Sequence, residues 1–256
     1  MRYETLGRLR VTDADQAHSL SARKTAVALA VLLIRAGQVV PMERLITEIW
    51  DDDPPTRATA AVHVYVSHLR RFLAGANAAS QIVTRAPGYR LTLGTDEVDA
   101  DRFHELLWDG REHAARGSHE RAAELLESAL GLWRGPALDG LHGSAVVDGY
   151  VGRLAESRLA GIETLMEAKL ALGRHREVVG SLYSLAAEHP TREKLHRQLM
   201  LALYRSERQA DALRAYHSLR RCLQDSVGLE PGRGLQELYH SILVEDARLE
   251  TPTGPI

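Results

Sequence analysis

The sequence predicts a mainly α-helical protein in two parts: an α+β domain of three helices and a hairpin, then an all-helical repeat domain. Three observations carry this reading. Apolar residues recur at helical spacing in successive segments. A Pro-Gly turn between two β-rich runs follows directly on a basic helix. Beyond residue 99, a turn-plus-small-residue pattern recurs at a repeat-like interval.

The elements follow in order. Tyr3 to Val11, with Leu6, Leu9 and Val11, reads as short strands that end in a polar turn at Thr12-Asp13-Ala14-Asp15. Ser21 is placed to cap a helix carrying Val27, Ala30, Val31 and Ile34 on one face and stopping at Gly37. Pro41 suits the first turn of a second helix, with Leu45, Ile46 and Ile49, that ends at Trp50 before Asp51-Asp52-Asp53-Pro54-Pro55. A third helix is expected from about Arg57 to Leu73, then a loop over Gly75 to Ser80. Ile82 to Leu93 flanks Pro87-Gly88 and reads as a hairpin. Three helices followed by an arginine-bearing hairpin is the layout of a winged helix-turn-helix.

From about Asp99 the chain reads as helical almost to its end. Gly117 to Ala122, Gly173 to Val178 and Glu207 to Ala212 share one pattern. A turn residue is followed five positions later by a small apolar residue, then by Leu126, Leu182 or Tyr216 at the next four-residue step. The last two units lie 34 residues apart, the period of a tetratricopeptide helix pair. The first two lie 56 apart, as if one repeat carried 22 extra residues over the irregular stretch from Trp133 to about Gly143. Pro190 falls where the second helix of a repeat should end. The expected domains are 1–96, 97–250 and a flexible tail at 251–256.

At 256 residues, 45% hydrophobic and 26% charged, the chain can bury a substantial core. A single cysteine, Cys222, excludes an internal disulfide framework and reads as a small packed residue. No leader-like or membrane-spanning run is legible, so a cytoplasmic, nucleoid-associated protein is expected. The net charge of −2 is unevenly spread. Pro54 to Gly94 holds five arginines and no acid, whereas Val98 onward has 20 basic and 24 acidic residues. A local basic block in a slightly acidic protein marks a focused anion-binding surface.

On the third helix, Val62, Val66, Leu69 and Leu73 form one stripe and are the expected core face. Opposite lie Arg57, Ala60, Val64, Ser67 and Arg71, with His63, His68 and Arg70 on the shoulders; Thr59 in the first turn is a further candidate contact. A solvent face is ordinarily rich in Glu and Lys, and this one has neither. Arginines for guanine edges or phosphates, small apolar groups for thymine methyls and a hydroxyl suit a major groove. The bland alternative is an Ala-rich exterior helix resting on another domain. Arg85 and Arg90 bracket the hairpin turn, where guanidinium groups would reach a minor groove or phosphates.

With these residues in place, the N-terminal part resembles the OmpR-type winged helix-turn-helix, Val62 to Leu73 matching the recognition helix and Thr84 to Arg90 the wing. The whole chain is similar to small Streptomyces antibiotic regulatory proteins. The likeness is carried by Leu20-Ser-Ala-Arg-Lys24, Leu45-Ile-Thr-Glu-Ile-Trp50 before Pro54-Pro55, Leu132-Trp-Arg-Gly-Pro-Ala-Leu138 and Gly228-Leu-Glu-Pro-Gly232. The resemblance implies an OmpR-like domain followed by a tetratricopeptide-like bacterial transcriptional activation domain. It implies an activator of antibiotic biosynthesis genes in an actinomycete. Such a regulator binds direct repeats in double-stranded promoter DNA near the −35 region and recruits RNA polymerase holoenzyme with its sigma factor. Two copies would pair on DNA. The family commonly has threonine or glutamine on the groove-facing side, where this chain has His63, Val64 and His68.

Other chemistries lack their residues. There is no phosphate-binding Gly-x-x-x-x-Gly-Lys-Ser/Thr loop, and none of the twelve histidines has another four positions away. Neither metal, cofactor nor catalysis is expected, and Asp51-Asp52-Asp53 reads as a solvated helix terminus. The rival function is a helical-repeat interaction or ligand-sensing protein whose winged domain makes protein contacts. The acid-free block from Pro54 to Gly94 discriminates, because protein docking has no need to exclude carboxylates.

Overall fold

The computed structural model describes residues 1–13 and 16–249. The expected turn at Ala14-Asp15 and the tail at 251–256 therefore lie outside the described residues. The protein is mainly helical and groups into two compact units. One comprises Met1–Glu105 with Ala129–Arg158, the other Leu106–Ser128 with Leu159 onward.

The first unit opens with β1 (Arg2–Glu4), β2 (Arg10–Thr12), β3 (Ala17–His18), α1 (Arg23–Ile34), β4 (Val39–Pro41) and α2 (Met42–Trp50). It continues with α3 (Ala58–Gly75), β5 (Gln81–Arg85), β6 (Gly88–Thr92) and β7 (Glu97–Val98). One sheet has the order β3-β2-β1-β7, with β7 parallel to β1; the other has β4-β6-β5, antiparallel throughout. Ala86-Pro87 forms the hairpin turn, with Arg85 opposite Gly88 and Val83 opposite Arg90.

Several local expectations need correction. α1 starts after Ala22 without a side-chain cap, so Ser21 does not cap it. Its apolar surface is not one face: every residue from Thr25 to Leu33 is buried, because α2, α3 and β6 all pack on it. Pro41 ends β4 and precedes the first helical residue, Met42. β4 and β7 were not legible, being too short to show a period. β4 explains Gly88: a Cβ there would lie 2.0 Å from the Val40 carbonyl oxygen. No side chain fits that approach.

Tyr3 is fully buried under the first sheet and shares a hydrogen bond with Ser80. Burial pushes its phenol up to about 12, helped by Asp96 and opposed by the Ser80 bond. Tyr150 is also pushed up to about 12, chiefly by burial and then by the Asp101 and Asp99 carboxylates.

α4 (Asp99–Ala115), α5 (His119–Gly131) and α6 (Ala145–Ala171) follow, then α7 (His175–Glu188), α8 (Glu193–Arg205), α9 (Gln209–Val227) and α10 (Arg233–Leu243). The three repeated joints are structurally equivalent. Gly117, Gly173 and Glu207 all take left-handed φ, at 77°, 73° and 62°. Each is followed by the same reach-back bond: Ser118 N–H to His113 O, Arg174 N–H to Lys169 O, Arg208 N–H to Leu203 O, 2.9–3.0 Å. These are Schellman-type helix ends. Ala122, Val178 and Ala212, and Leu126, Leu182 and Tyr216 after them, are all buried.

The extra length between the first two repeats is not all irregular. α6 has 27 residues against 14 in α7, so much of the excess is helix. The irregular stretch, 132–144, packs within the first unit on the N-terminal sheet. Arg134 N–H donates to Leu6 O at 2.8 Å and Leu138 N–H to Thr5 O at 2.9 Å. Asp99 accepts from Thr5 N–H and hydroxyl at 2.7 Å and from Leu6 N–H at 3.0 Å. Glu48 is buried and accepts from Ser144 Oγ at 2.5 Å and Val146 N–H at 2.9 Å, its other oxygen 2.7 Å from Arg44.

Candidate nucleic-acid interface

α3 buries Val62, Val66, Leu69 and Leu73 against the core, which fixes its opposite face outward. That face carries Ala60, His63, Val64, Ser67, His68 and Arg71, with Arg57 at the N-cap and Thr59 in the first turn; all are exposed, Val64 at 49%. Arg57 to Arg71 is fourteen steps along the chain, ~21 Å at ~1.5 Å per residue. The first turn of α3 holds no acidic residue, so the positive end of its dipole is uncompensated.

Arg70 leaves this face for the wing. Its Nε donates to Ile82 O at 2.8 Å, its Nη2 to Thr84 Oγ1 at 3.0 Å, and its guanidinium lies 5.8 Å from the Tyr89 ring centre. His63 Nδ1 lies 2.5 Å from the Tyr89 hydroxyl. Charge-assisted bonds of this kind are geometrically demanding, so helix and hairpin share one register. Met42 N–H to Pro87 O at 3.1 Å ties the turn to α2 as well.

The two wing arginines part company. Arg85 is exposed at the end of β5 beside the turn. Arg90 is half-buried in the middle strand, opposite Val39 and Val83, and its Nε has no hydrogen-bond partner. Of the sequence-selected residues, the structure thus gathers eight on the exposed face and N-terminal end of α3 and Arg85 on the wing. Arg70 is bonded to the hairpin, and Arg90 lies half-buried in its middle strand.

Sequence reasoning missed Tyr89, the pivot for both His63 and Arg70. Its signal was the aromatic directly after Pro-Gly, alternating with Leu91. It also missed Lys24, whose ammonium lies 5.0 Å over Trp50, itself stacked on Tyr65 at 5.7 Å. The Asp51–Asp53 run is exposed, and Asp51 closes α2 with a φ of 55°. Among the described residues no group of three or more His, Cys, Asp or Glu is placed to hold a metal ion. No described helix is long and apolar enough to cross a membrane.

Comparison with known proteins agrees with this architecture. Residues 15–91 match the profile described as transcriptional regulatory protein, C terminal, and residues 98–243 match the bacterial transcriptional activator domain. The chain is 38% identical to transcriptional regulatory protein MoaR1 of Mycobacterium tuberculosis, covering 95% of this chain and 79% of that one. It is 36% identical to regulatory protein DnrI of Streptomyces peucetius, covering 91% and 88%. A solved structure of Mycobacterium tuberculosis EmbR in complex with a low-affinity phosphopeptide superposes with a TM-score of 0.88 at 36% identity. That match covers 95% of this chain and 65% of that one, so the chain spans under two thirds of EmbR. The protein belongs to the Streptomyces antibiotic regulatory protein family of transcriptional activators, an OmpR-type winged helix-turn-helix followed by a bacterial transcriptional activator domain.

Proposed function

We propose that this activator reads promoter DNA with the exposed face of α3 in the major groove and Arg85 on the flanking backbone or minor groove. The observation that carries this is an acid-free exposed face, bearing Arg57 and Arg71, joined by Arg70 to an arginine-tipped wing. Small side chains at Ala60 and Val64 leave room for base edges and thymine methyls, and Ser67 and Arg71 supply donors. His63, tied to Tyr89, and His68 flank them, with Thr59 and Arg57 toward the phosphates at the helix N-terminus. Arg70 acts by holding the wing, and Arg90 adds positive charge to it.

The target, on the family resemblance, is a pair of direct repeats near the −35 region of antibiotic biosynthesis genes. Two copies sit head to tail there and contact polymerase holoenzyme with its sigma factor. Such a protein works on the nucleoid, in the cytoplasm. Head-to-tail pairing on DNA raises local concentration without new base contacts.

The test is fluorescence anisotropy of the full chain on promoter fragments across a salt series. Log affinity should fall linearly with log salt, by about 0.9 per phosphate contacted. Salt-independent binding, or none, would remove the DNA reading and favour a protein-docking role for the winged domain.

A further inference from the structure

The second compact unit holds a cavity of about 460 Å³, walled by α4, the first residue of α5, α6 and α8. That size suits a ligand, pockets commonly measuring ~300–1,000 Å³. Arg111, Lys194, Arg197 and Arg205 line it against one carboxylate, Glu167, which already lies 3.2 Å from Lys194. Arg205 is held in the wall by the Leu170 and Leu249 carbonyls.

Arg111 and Arg197 are exposed and form no ion pair among the described residues. Nearby arginines of the same unit behave otherwise: Arg116 pairs with Glu112, Arg121 with Glu124 and Arg174 with Glu120. Two unpaired guanidiniums facing one cavity are a site for carboxylates.

A second observation comes from Gln198 in the same wall. It is only 6% exposed, and its amide nitrogen donates to Glu163 O at 2.7 Å, which leaves Oε1 with no donor. Buried acceptors are rarely left unpaired. A ligand that brings both carboxylates and N–H groups would complete the set, and a peptide backbone does so. The floor of Ala168, Ala171 and Leu201 adds small apolar contacts. Helices pack ~8–10 Å apart, so a groove across three of them runs ~16–20 Å, the reach of about five or six extended residues.

We propose that this cavity binds an acidic polypeptide segment in extended form. Its carboxylates lie on Arg111 and Arg197, and a main-chain N–H reaches Gln198 Oε1. A phosphate ion or a small dicarboxylate would engage the guanidiniums but leave the apolar floor in water. The inference is independent of DNA binding.

The experiment is anisotropy of a fluorescein-labelled peptide of alternating glutamate and leucine, titrated with the full chain. Saturable binding is expected, resistant to succinate and inorganic phosphate. Arg111→Glu with Arg197→Glu should weaken it by roughly a hundredfold, about tenfold for each charge-assisted contact. Both positions are exposed, so the circular dichroism spectrum should not change. Gln198→Met should weaken binding with no change of charge. Absent saturable binding, or unchanged affinity in the double variant, would overturn the proposal. So would competition by succinate or phosphate equal to that of unlabelled peptide, or displacement by duplex DNA, which would reassign the cavity to nucleic acid.

Discussion

Asp99→Ala tests how the DNA-binding unit is held together. The Asp99 carboxylate is 5% exposed and takes three hydrogen bonds at 2.7–3.0 Å from Thr5 and Leu6, with the Arg134 guanidinium 3.8 Å away. Truncation strands two buried backbone N–H groups, each costing ~1–3 kcal/mol. It also leaves Arg134 without one of its carboxylates, although Glu4 stays 3.2 Å away. A loss of about 3–5 kcal/mol follows, the range for breaking a buried charged contact. Asp99→Asn keeps one acceptor and should lose about half as much. Since typical domains are stable by only ~5–15 kcal/mol, the alanine variant should be close to unfolded at 37 °C. Urea melts give the global figure, and amide hydrogen exchange at Thr5 and Leu6 isolates this site if the two units unfold separately. A loss under ~1 kcal/mol with both amides still protected would refute the reasoning, because the strand would then be anchored elsewhere.

Other outcomes are equally specific. Gly88→Ala should cost about 3 kcal/mol or more, since its Cβ would meet the Val40 carbonyl, and a melting curve matching the unmodified protein would contradict that packing. Arg71→Ala should cost ~1–3 kcal/mol on one operator sequence and relax discrimination at one base pair, whereas Arg70→Ala should weaken all sequences alike by loosening the wing. A binding-site selection in which the two variants behave identically would collapse the distinction. The raised phenols of Tyr3 and Tyr150 favour the protonated folded state. Their stabilisation should be complete below pH 10 and fade as the pH rises from 10 toward 12, when the unfolded chain ionises first. Tyrosinate absorbance rising near pH 10 with all tyrosines equivalent would count against their burial. Finally, a fragment ending at residue 96 lacks Asp99, Arg134 and Leu138 and should be less stable than the same unit in the full chain, as thermal melts would register.

The legible parts of this protein are those written in local periods. The α3 stripe of Val62, Val66, Leu69 and Leu73 announces both a helix and its outward face. The Pro87-Gly88 pair announces the hairpin, and the recurrent joints announce the repeats even where Glu207 replaces a glycine. Contacts across long separations were not legible. Arg70 looks like any other basic residue on α3 until the hairpin is brought beside it. Glu48 sits in a helix as a solvent-facing acid would, and only the fold brings Ser144 and Val146 to it. Strands of two or three residues carry no alternation from which a period could be read.

The chain order of the first compact unit bears on how the protein is made. Its final piece, 129–158, is translated only after 106–128, which belongs to the other unit. A ribosome therefore finishes the reading helix and wing well before it delivers the residues that close the sheet beneath them. At ~5–20 residues per second, the interval between residue 96 and residue 158 is about 3–12 s. Until the closing residues arrive, the Thr5 and Leu6 carbonyls wait for the Leu138 and Arg134 N–H groups, and Glu48 waits for Ser144 and Val146 at the start of α6. Engineered hybrids that exchange DNA specificity between relatives should for the same reason carry both segments across together, since a splice after the wing would pair one parent's strand with the other parent's clasp.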